Sequence, residues 1–133
     1  MRDDKHNVIV DKSVDFSLTI IKYCEVLKQN KKFVIARQLL RSSTSIGANI
    51  FEAQNAESKA DFIHKMKVAA KEASETLYWL ILCDRSEHYK FDKKHFDDLN
   101  EIIKILSKLI STSKGRIPGF MWQMIYLFSN FQI

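Results

Sequence analysis

Residues 62–83 read FIHKMKVAAKEASETLYWLILC. Within them Phe62, Met66, Ala69, Ala73, Thr76 and Leu80 recur at alternating steps of four and three, flanked by Ile63, Ala70 and Leu77. Steps of this kind lay side chains along one stripe of an α-helix, whereas a half-buried strand would alternate every second residue. Ser58 or Asp61 supplies the start and residues 86–89 the stop, so the predicted helix has about 28 residues and a length of about 40 Å at ~1.5 Å per residue. One such stripe needs partners to cover it, and three other segments offer them. Residues 11–28, with Asp11 or Ser13 as cap, carry one row of Val14, Leu18 and Ile21 beside another of Ile20, Cys24 and Leu27. Residues 34–56 place Ile35, Leu39, Ile46 and Ile50 on one face, with small Ser42 and Ser43 inside that row. From Asp92 onward Phe96, Leu99, Ile103, Leu106 and Ile110 repeat the pattern, with Ile102 and Leu109 beside them. Four amphipathic helices joined by short polar turns, such as QNKK at 29–32, predict an all-α protein: an antiparallel up-and-down four-helix bundle.

Composition agrees with that reading. The chain has 133 residues, 46% of them apolar and 28% charged, with three glycines and one proline. Up to Thr112 it contains no proline and a single glycine, Gly47, which excludes hairpin-rich sandwiches and barrels. Cys24 and Cys83 sit among apolar neighbours without zinc-finger spacing and read as buried, reduced thiols. The N-terminal segment MRDDKHNVIVDK has acidic residues where a signal peptide needs an apolar run, so a cytoplasmic location is expected. After Lys114, Gly115 and Arg116, which read as a helix C-terminus with its glycine stop, residues 117–133 carry no charge and include Phe120, Trp122, Tyr126, Phe128 and Phe131. This stretch is shorter than the ~20 residues of a membrane span. The division is therefore a bundle domain over 1–114 and an apolar, aromatic C-terminal extension over 115–133. The extension is expected to pack on the bundle or on a neighbouring subunit, and no membrane partner is expected.

Candidate functional residues fall into three groups. Residues 38–56, QLLRSSTSIGANIFEAQNA, concentrate Ser, Thr, Gly and Asn inside a helix, where glycine costs about 1 kcal/mol relative to alanine and hydroxyls compete for backbone bonds. A close helix crossing explains this choice, and a polar site at Ser45 and Asn49 is the rival reading; no nucleophile elbow supports a catalytic serine. The second group is basic. Between Val26 and Phe51 the chain carries Lys28, Lys31, Lys32, Arg37 and Arg41 and no acidic residue, and Lys67 with Lys71 and Lys104 with Lys108 form further i,i+4 pairs. The formal net charge is +5 at pH 7. These rows read either as a solvated face or as a surface for nucleic-acid phosphates, for which Lys28, Lys31, Lys32, Arg37, Arg41, Lys67 and Lys71 are the candidates. Third, Glu72, Glu75 and the pair Asp61 and His64 invite a metal reading, but His6, His88 and His95 fall in or near turns, and the paired Glu-x-x-His motifs of di-iron bundles are missing. Neither a metal nor a cofactor is expected, and Glu72 is expected to accept hydrogen bonds from Asn49, a serine or an arginine of the second helix.

Residues 38–83 also carry a resemblance. The runs RSSTSIGANIFEA (41–53), KADFIHKM (59–66) and KEASETLYWL (71–80) resemble the signature of the bacterial four helix bundle protein family. That family includes proteins encoded in intervening sequences of large-subunit ribosomal RNA genes, and the accessory variability determinant of diversity-generating retroelements is related to it. The resemblance spans about 8–114 and implies a four-helix bundle assembled as a homopentamer with basic surfaces. In the retroelement branch it further implies binding of RNA or DNA and of a reverse transcriptase. By position Arg41, Ser45, Gly47, Asn49 and Glu52 fall in the second-helix motif, and Glu72, Glu75, Thr76, Tyr78 and Trp79 in the third-helix motif. No catalytic residue comes with the family. A wide apolar arc on the third helix, extended by Trp79 and Ile81, together with the aromatic extension, independently predicts self-association. The expectation for function is thus a non-enzymatic, oligomeric, nucleic-acid-associated protein. A protein-interaction scaffold without nucleic-acid binding is the alternative, and an enzyme ranks last because no catalytic constellation can be assembled.

Overall fold

A computed structural model describes residues 7–130. The described chain is helical throughout: α1 (Val8–Gln29), α2 (Phe33–Ala53), α3 (Lys59–Arg85), α4 (Lys94–Thr112) and α5 (Gly119–Asn130), with no strand among the described residues. Helices α1 to α4 each pack on the next, and α4 returns to α1, while the backbones of the diagonal pairs stay apart. That is the up-and-down bundle the periodicities predict. His6 and Phe131 lie outside the described residues.

The helix ends follow local chemistry. Asn7, rather than the expected Asp11 or Ser13, caps α1, which starts at Val8: its side-chain oxygen accepts from Val10 N at 3.4 Å while its amide donates to Gln54 at 2.6 Å across the bundle end. The Ser58 hydroxyl caps α3 by accepting from Asp61 N at 3.0 Å, a bond whose loss typically costs about 1 kcal/mol. Helix α4 starts slightly later than expected, at Lys94, with Asp92 accepting from its amide at 2.9 Å. The α1–α2 turn closes through Lys32 N to Leu27 O at 2.8 Å, with Lys31 in the left-handed region at φ 63°. The stop after α4 differs from the sequence reading, because Lys114 takes the left-handed conformation, also at φ 63°, and Gly115 does not. Gly115 is needed for room: a Cβ there would stand 2.9 Å from Ile63 Cγ2 and 3.1 Å from Ile110 Cγ2.

The core is one continuous cluster. Leu39, Ile46, Ile50, Met66, Ala69, Ala73, Leu80, Leu99, Ile103 and Leu106 are wholly enclosed. Ser42 and Ser43 are equally buried, which makes the small residues of α2 a close crossing with α3. There Thr76 Oγ1 lies 2.9 Å from both Ser42 Oγ and Glu72 O, which compete for its single proton. On α1 the two rows separate: Ile20, Cys24 and Leu27 are buried, whereas Val14 and Leu18 are about half exposed and Ile21 lies at the rim. The extension forms α5, which buries Met121, Met124 and Phe128 against α3 and α4.

Candidate nucleic-acid interface

The α1–α2 turn and the α3–α4 loop lie at one end of the bundle, tied together by aromatic side chains. Tyr23, near the end of α1, donates its hydroxyl to Lys90 O at 2.6 Å. Its ring packs on His95 with centroids 4.8 Å apart and edge-on to Phe91 at 5.9 Å. From the other side Lys32 places its ammonium 5.0 Å from the centre of the Tyr89 ring, a cation–π contact that holds the turn to the loop. The two segments, 28–33 and 84–94, carry Lys28, Lys31, Lys32, Arg85, Lys90, Lys93 and Lys94 along with Asp84, Glu87 and Asp92, and Lys94 also borders a hollow lined by Asp15, Asp98 and Glu101. All seven cations except Lys32, which is half-buried, belong to exposed residues. Only Lys93 is drawn to a carboxylate within this group, Asp84 at 3.7 Å.

Lys28, Lys31 and Lys32 therefore form half of a larger basic end, and Arg37, exposed one turn into α2, extends it along the helix. Arg41 is differently engaged. Its guanidinium bridges Glu72, at 3.4 Å, and Glu75, both on α3, so its charge is largely compensated. The expected arginine donor to Glu72 is this residue; Asn49 instead donates to Ser45 O at 2.9 Å. Glu75 also accepts from Trp79 Nε1 at 3.1 Å. That bond first, and Arg41 second, hold its carboxyl below the usual carboxylate range. Lys67 and Lys71 lie on α3 well away from the turn: fourteen residues separate Lys71 from the end of the helix at Arg85, about 20 Å at ~1.5 Å per residue. The seven predicted residues thus divide into an end group, one bridging arginine and a separate α3 pair. Arg85, Lys90, Lys93 and Lys94 escaped the sequence reading, because their sole signal was a lysine-rich loop whose proximity to the first turn depends on tertiary contacts.

Other polar groups are structural in their surroundings. His95 is buried, its Nδ1 without a hydrogen-bond partner, and burial pushes its pKa down. Burial likewise raises the Cys24 thiol to about 11 and pushes the Cys83 thiol up, and both cysteines are free. Among the described residues no helix is long and apolar enough to cross a membrane. A second surface feature is a groove of about 390 Å³ between α1 and α2, bordered by Val14, Leu18 and Phe51.

Fold and surface together define a small antiparallel helical-bundle protein with a cationic end and an appended apolar helix. Comparison with known proteins gives that class a family. Residues 5–112 match the sequence profile described as 23S rRNA-intervening sequence protein, and the chain belongs to this family. It is also similar to the crystal structure of a Bacteroides thetaiotaomicron protein of unknown function from the S23 ribosomal protein family. The two are 46% identical with a TM-score of 0.74, over 78% of this chain and 99% of that one. No curated protein matches the chain. The family match ends at the last residue of α4, so α5 lies beyond it.

Proposed function

We propose that the protein is a non-enzymatic, oligomeric nucleic-acid-associated protein that holds phosphate backbones on its basic end. The observation that carries this reading is the meeting of two lysine-rich turns at one end of the bundle, whose segments carry seven cations and three carboxylates. That local excess of four compares with +5 for the whole chain, so the charge is concentrated rather than spread. Lysines on turns make adaptable point contacts to phosphate oxygens and carry no base-reading geometry. The partner is therefore RNA or DNA bound with little sequence preference. Oligomerisation, as a homopentamer if the family resemblance extends to assembly, would repeat the basic end in each subunit and multiply its field. A reverse transcriptase would enter as a partner only on the retroelement branch.

The test is fluorescence anisotropy with a generic duplex and a structured RNA at two salt concentrations. Four phosphates engaged per chain give a slope of log K against log salt of about −3.6 on duplex DNA, so a fourfold rise in salt weakens binding about 150-fold. Lys31→Glu with Lys90→Glu should abolish most of the binding, and Lys67→Glu with Lys71→Glu should leave most of it. Equal binding by the parent and the end variant would reject this surface. No binding by the parent would reject the reading and favour the scaffold alternative, which the exposed apolar groove between α1 and α2 supports.

A further inference from the structure

We infer that His95 is a proton-operated latch: on gaining a proton it releases the α3–α4 connection from the α1–α2 turn and opens the basic end, while the four helices stay packed. The latch specifies how the end proposed above to hold phosphates is regulated, and its consequence for binding rests on that reading. Residues 86–96 read SEHYKFDKKHF, a charged connection punctuated by rings. One of these, His95, is the second residue of α4 and only 8% exposed. Its ring meets Tyr23 of α1 at 4.8 Å and Phe91 of the connection at 5.5 Å, and Tyr23 and Phe91 meet each other at 5.9 Å. Three rings from α1, the connection and α4 thus close a triangle. Tyr23 is also the residue whose hydroxyl donates to Lys90 O at 2.6 Å, so the ring that His95 packs on carries the tie between α1 and the connection. The other tie, Lys32 over the Tyr89 ring, is a cation–π contact between partly exposed residues and is the weaker for it. Within the connection His88 holds a left-handed backbone at φ 65°, unfavourable for a residue with a Cβ and relieved when the connection lets go.

A neutral imidazole fits this setting and an imidazolium does not. His95 Nδ1 is enclosed without a hydrogen-bond partner, and the charged ring carries an N–H at that atom with nothing to accept it. In the first turn of α4 the ring also lies at the positive end of the helix dipole. Charged and titratable groups reach it from each neighbouring element. Asp92 and Asp98 favour the proton and Lys94 opposes it. Helix α1 presents the Tyr23 hydroxyl, engaged on Lys90 O, with Lys12 and Asp15 further along at the hollow beside Lys94 and Asp98. Helix α3 presents the Cys83 thiol to the Tyr23 hydroxyl, and α5 has no charged residue. Burial outweighs the two carboxylates and holds the folded ring neutral, with its pKa below 6.5. Once the connection opens, water reaches the ring and its ordinary pKa returns. The closed form is therefore fully favoured above pH 6.5 and loses that advantage as pH falls. Each unit below 6.5 raises the ratio of open to closed by up to about tenfold, until the folded value is reached. The opening stays local, because Leu99, Ile103 and Leu106 anchor α4 in the core beyond it.

Amide hydrogen exchange of the full chain at pH 7.5 and pH 5.5, read by mass spectrometry with labelling times scaled to the intrinsic exchange rate, tests the latch without any ligand. Peptides covering 86–96 should exchange up to about tenfold faster at the lower pH, while peptides within 62–80 of α3 should not change. His95→Phe keeps a ring but cannot take up a proton, and it should abolish the acceleration. Tyr23→Phe keeps its ring and loses the tie to Lys90, so 86–96 should exchange faster at both pH values; this variant decides the matter if His95→Phe fails to fold. In parallel, anisotropy with a generic duplex at one salt concentration should show binding that weakens from pH 7.5 to 5.5 in the parent and not in His95→Phe. Protonation otherwise adds positive charge and strengthens phosphate binding, so a loss of affinity in acid is the mark of the latch. Exchange in 86–96 that is not accelerated in acid, that is equally accelerated in His95→Phe, that is unaltered by Tyr23→Phe, or that rises evenly through α3 would overturn the inference. Duplex binding that tightens in acid while 86–96 opens would overturn the latch as a regulator of the basic end. No binding at either pH would reject the function proposed above and leave the exchange result to judge the latch alone.

Discussion

Replacing Thr76 by valine and Ser42 by alanine, singly and together, probes the crossing that brings α2 against α3. Both side chains are fully buried and their hydroxyl oxygens lie 2.9 Å apart. Valine keeps the shape of threonine, so Thr76→Val removes the hydroxyl without opening a cavity. The expected loss is that of one buried hydrogen bond, about 1 kcal/mol. Ser42→Ala loses the same bond but regains about 0.5 kcal/mol of helix propensity, for a net cost of about 0.5 kcal/mol. In the double variant the bond can be lost only once, and two apolar groups then face each other. Its cost should be about 0.5 kcal/mol, below the sum of the singles by about 1 kcal/mol. For a 133-residue chain an unfolding entropy of about 2.1 cal/mol/K per residue makes 1 kcal/mol worth about 3–4 °C in Tm. Urea unfolding followed by circular dichroism, at one fixed chain concentration because assembly would add to apparent stability, measures all four corners of the cycle. Costs that add to within about 0.3 kcal/mol would show that the two hydroxyls are neighbours without a bond, and the argument for a polar link in the crossing would fail.

Three further outcomes follow from named contacts. His95, packed on Tyr23 and Phe91, has its pKa lowered from 6.5 chiefly by burial and also by Lys94, while Asp92 and Asp98 partly oppose the shift. Below pH 6.5 the unfolded chain therefore takes up a proton that the folded one refuses, so this contribution to stability falls as pH drops from 6.5 toward the lowered folded value. In His95→Phe that dependence should flatten between pH 5 and 7, and an unchanged profile would assign it to other groups. Gly115→Ala should destabilise by about 1–3 kcal/mol through collision with Ile63 and Ile110, whereas Gly47→Ala, with room for its methyl, should stabilise the chain by up to about 1 kcal/mol; thermal melts of the two variants should move in opposite directions. The Cys24 thiol, raised to about 11, and its buried neighbour Cys83 should fail to react with Ellman's reagent at pH 8 in the native protein and react fully in denaturant. Rapid native labelling would place them at an accessible surface.

The bundle itself was legible in the linear pattern, because helical periodicity, caps and helix stops are local. The steps of four and three through Met66, Ala69, Ala73 and Leu80 became the inner stripe of α3, Ser58 became its cap, and the small Ser42 and Ser43 became a close crossing. Helix periodicity alone left open which of two adjacent apolar rows on α1 turns inward. Ile20, Cys24 and Leu27 went to the core, Val14 and Leu18 became the edge of an open groove, and Ile21 was left partly exposed, since a helix has no inside until its neighbours arrive. The glycine after α4 was read as a left-handed stop, but Lys114 bears that strain and Gly115 serves to admit Ile63 from α3, a neighbour more than fifty positions away.

Charge depended even more on the tertiary structure. A run of basic residues between Val26 and Phe51 was visible as a run, yet its destinations diverge. Arg41 is compensated by Glu72 and Glu75 across the α2–α3 crossing, while the turn of Lys28, Lys31 and Lys32 meets the α3–α4 connection, which carries Lys90 and Lys93 between Arg85 and Lys94, held there by the Tyr23 hydroxyl and the Tyr89 ring. By itself the sequence determined that there would be four amphipathic helices, roughly where they lie, and that they would pack in antiparallel order, because backbone hydrogen bonds and side-chain periodicity act over a few residues; their exact ends, such as the start of α1 at Val8 under an Asn7 cap, were not read from it. Only the tertiary structure decided which cations stay unpaired, which apolar rows remain open and where the aromatic extension rests. Coulomb attraction and burial depend on distances in space, and those exist only once the helices have packed.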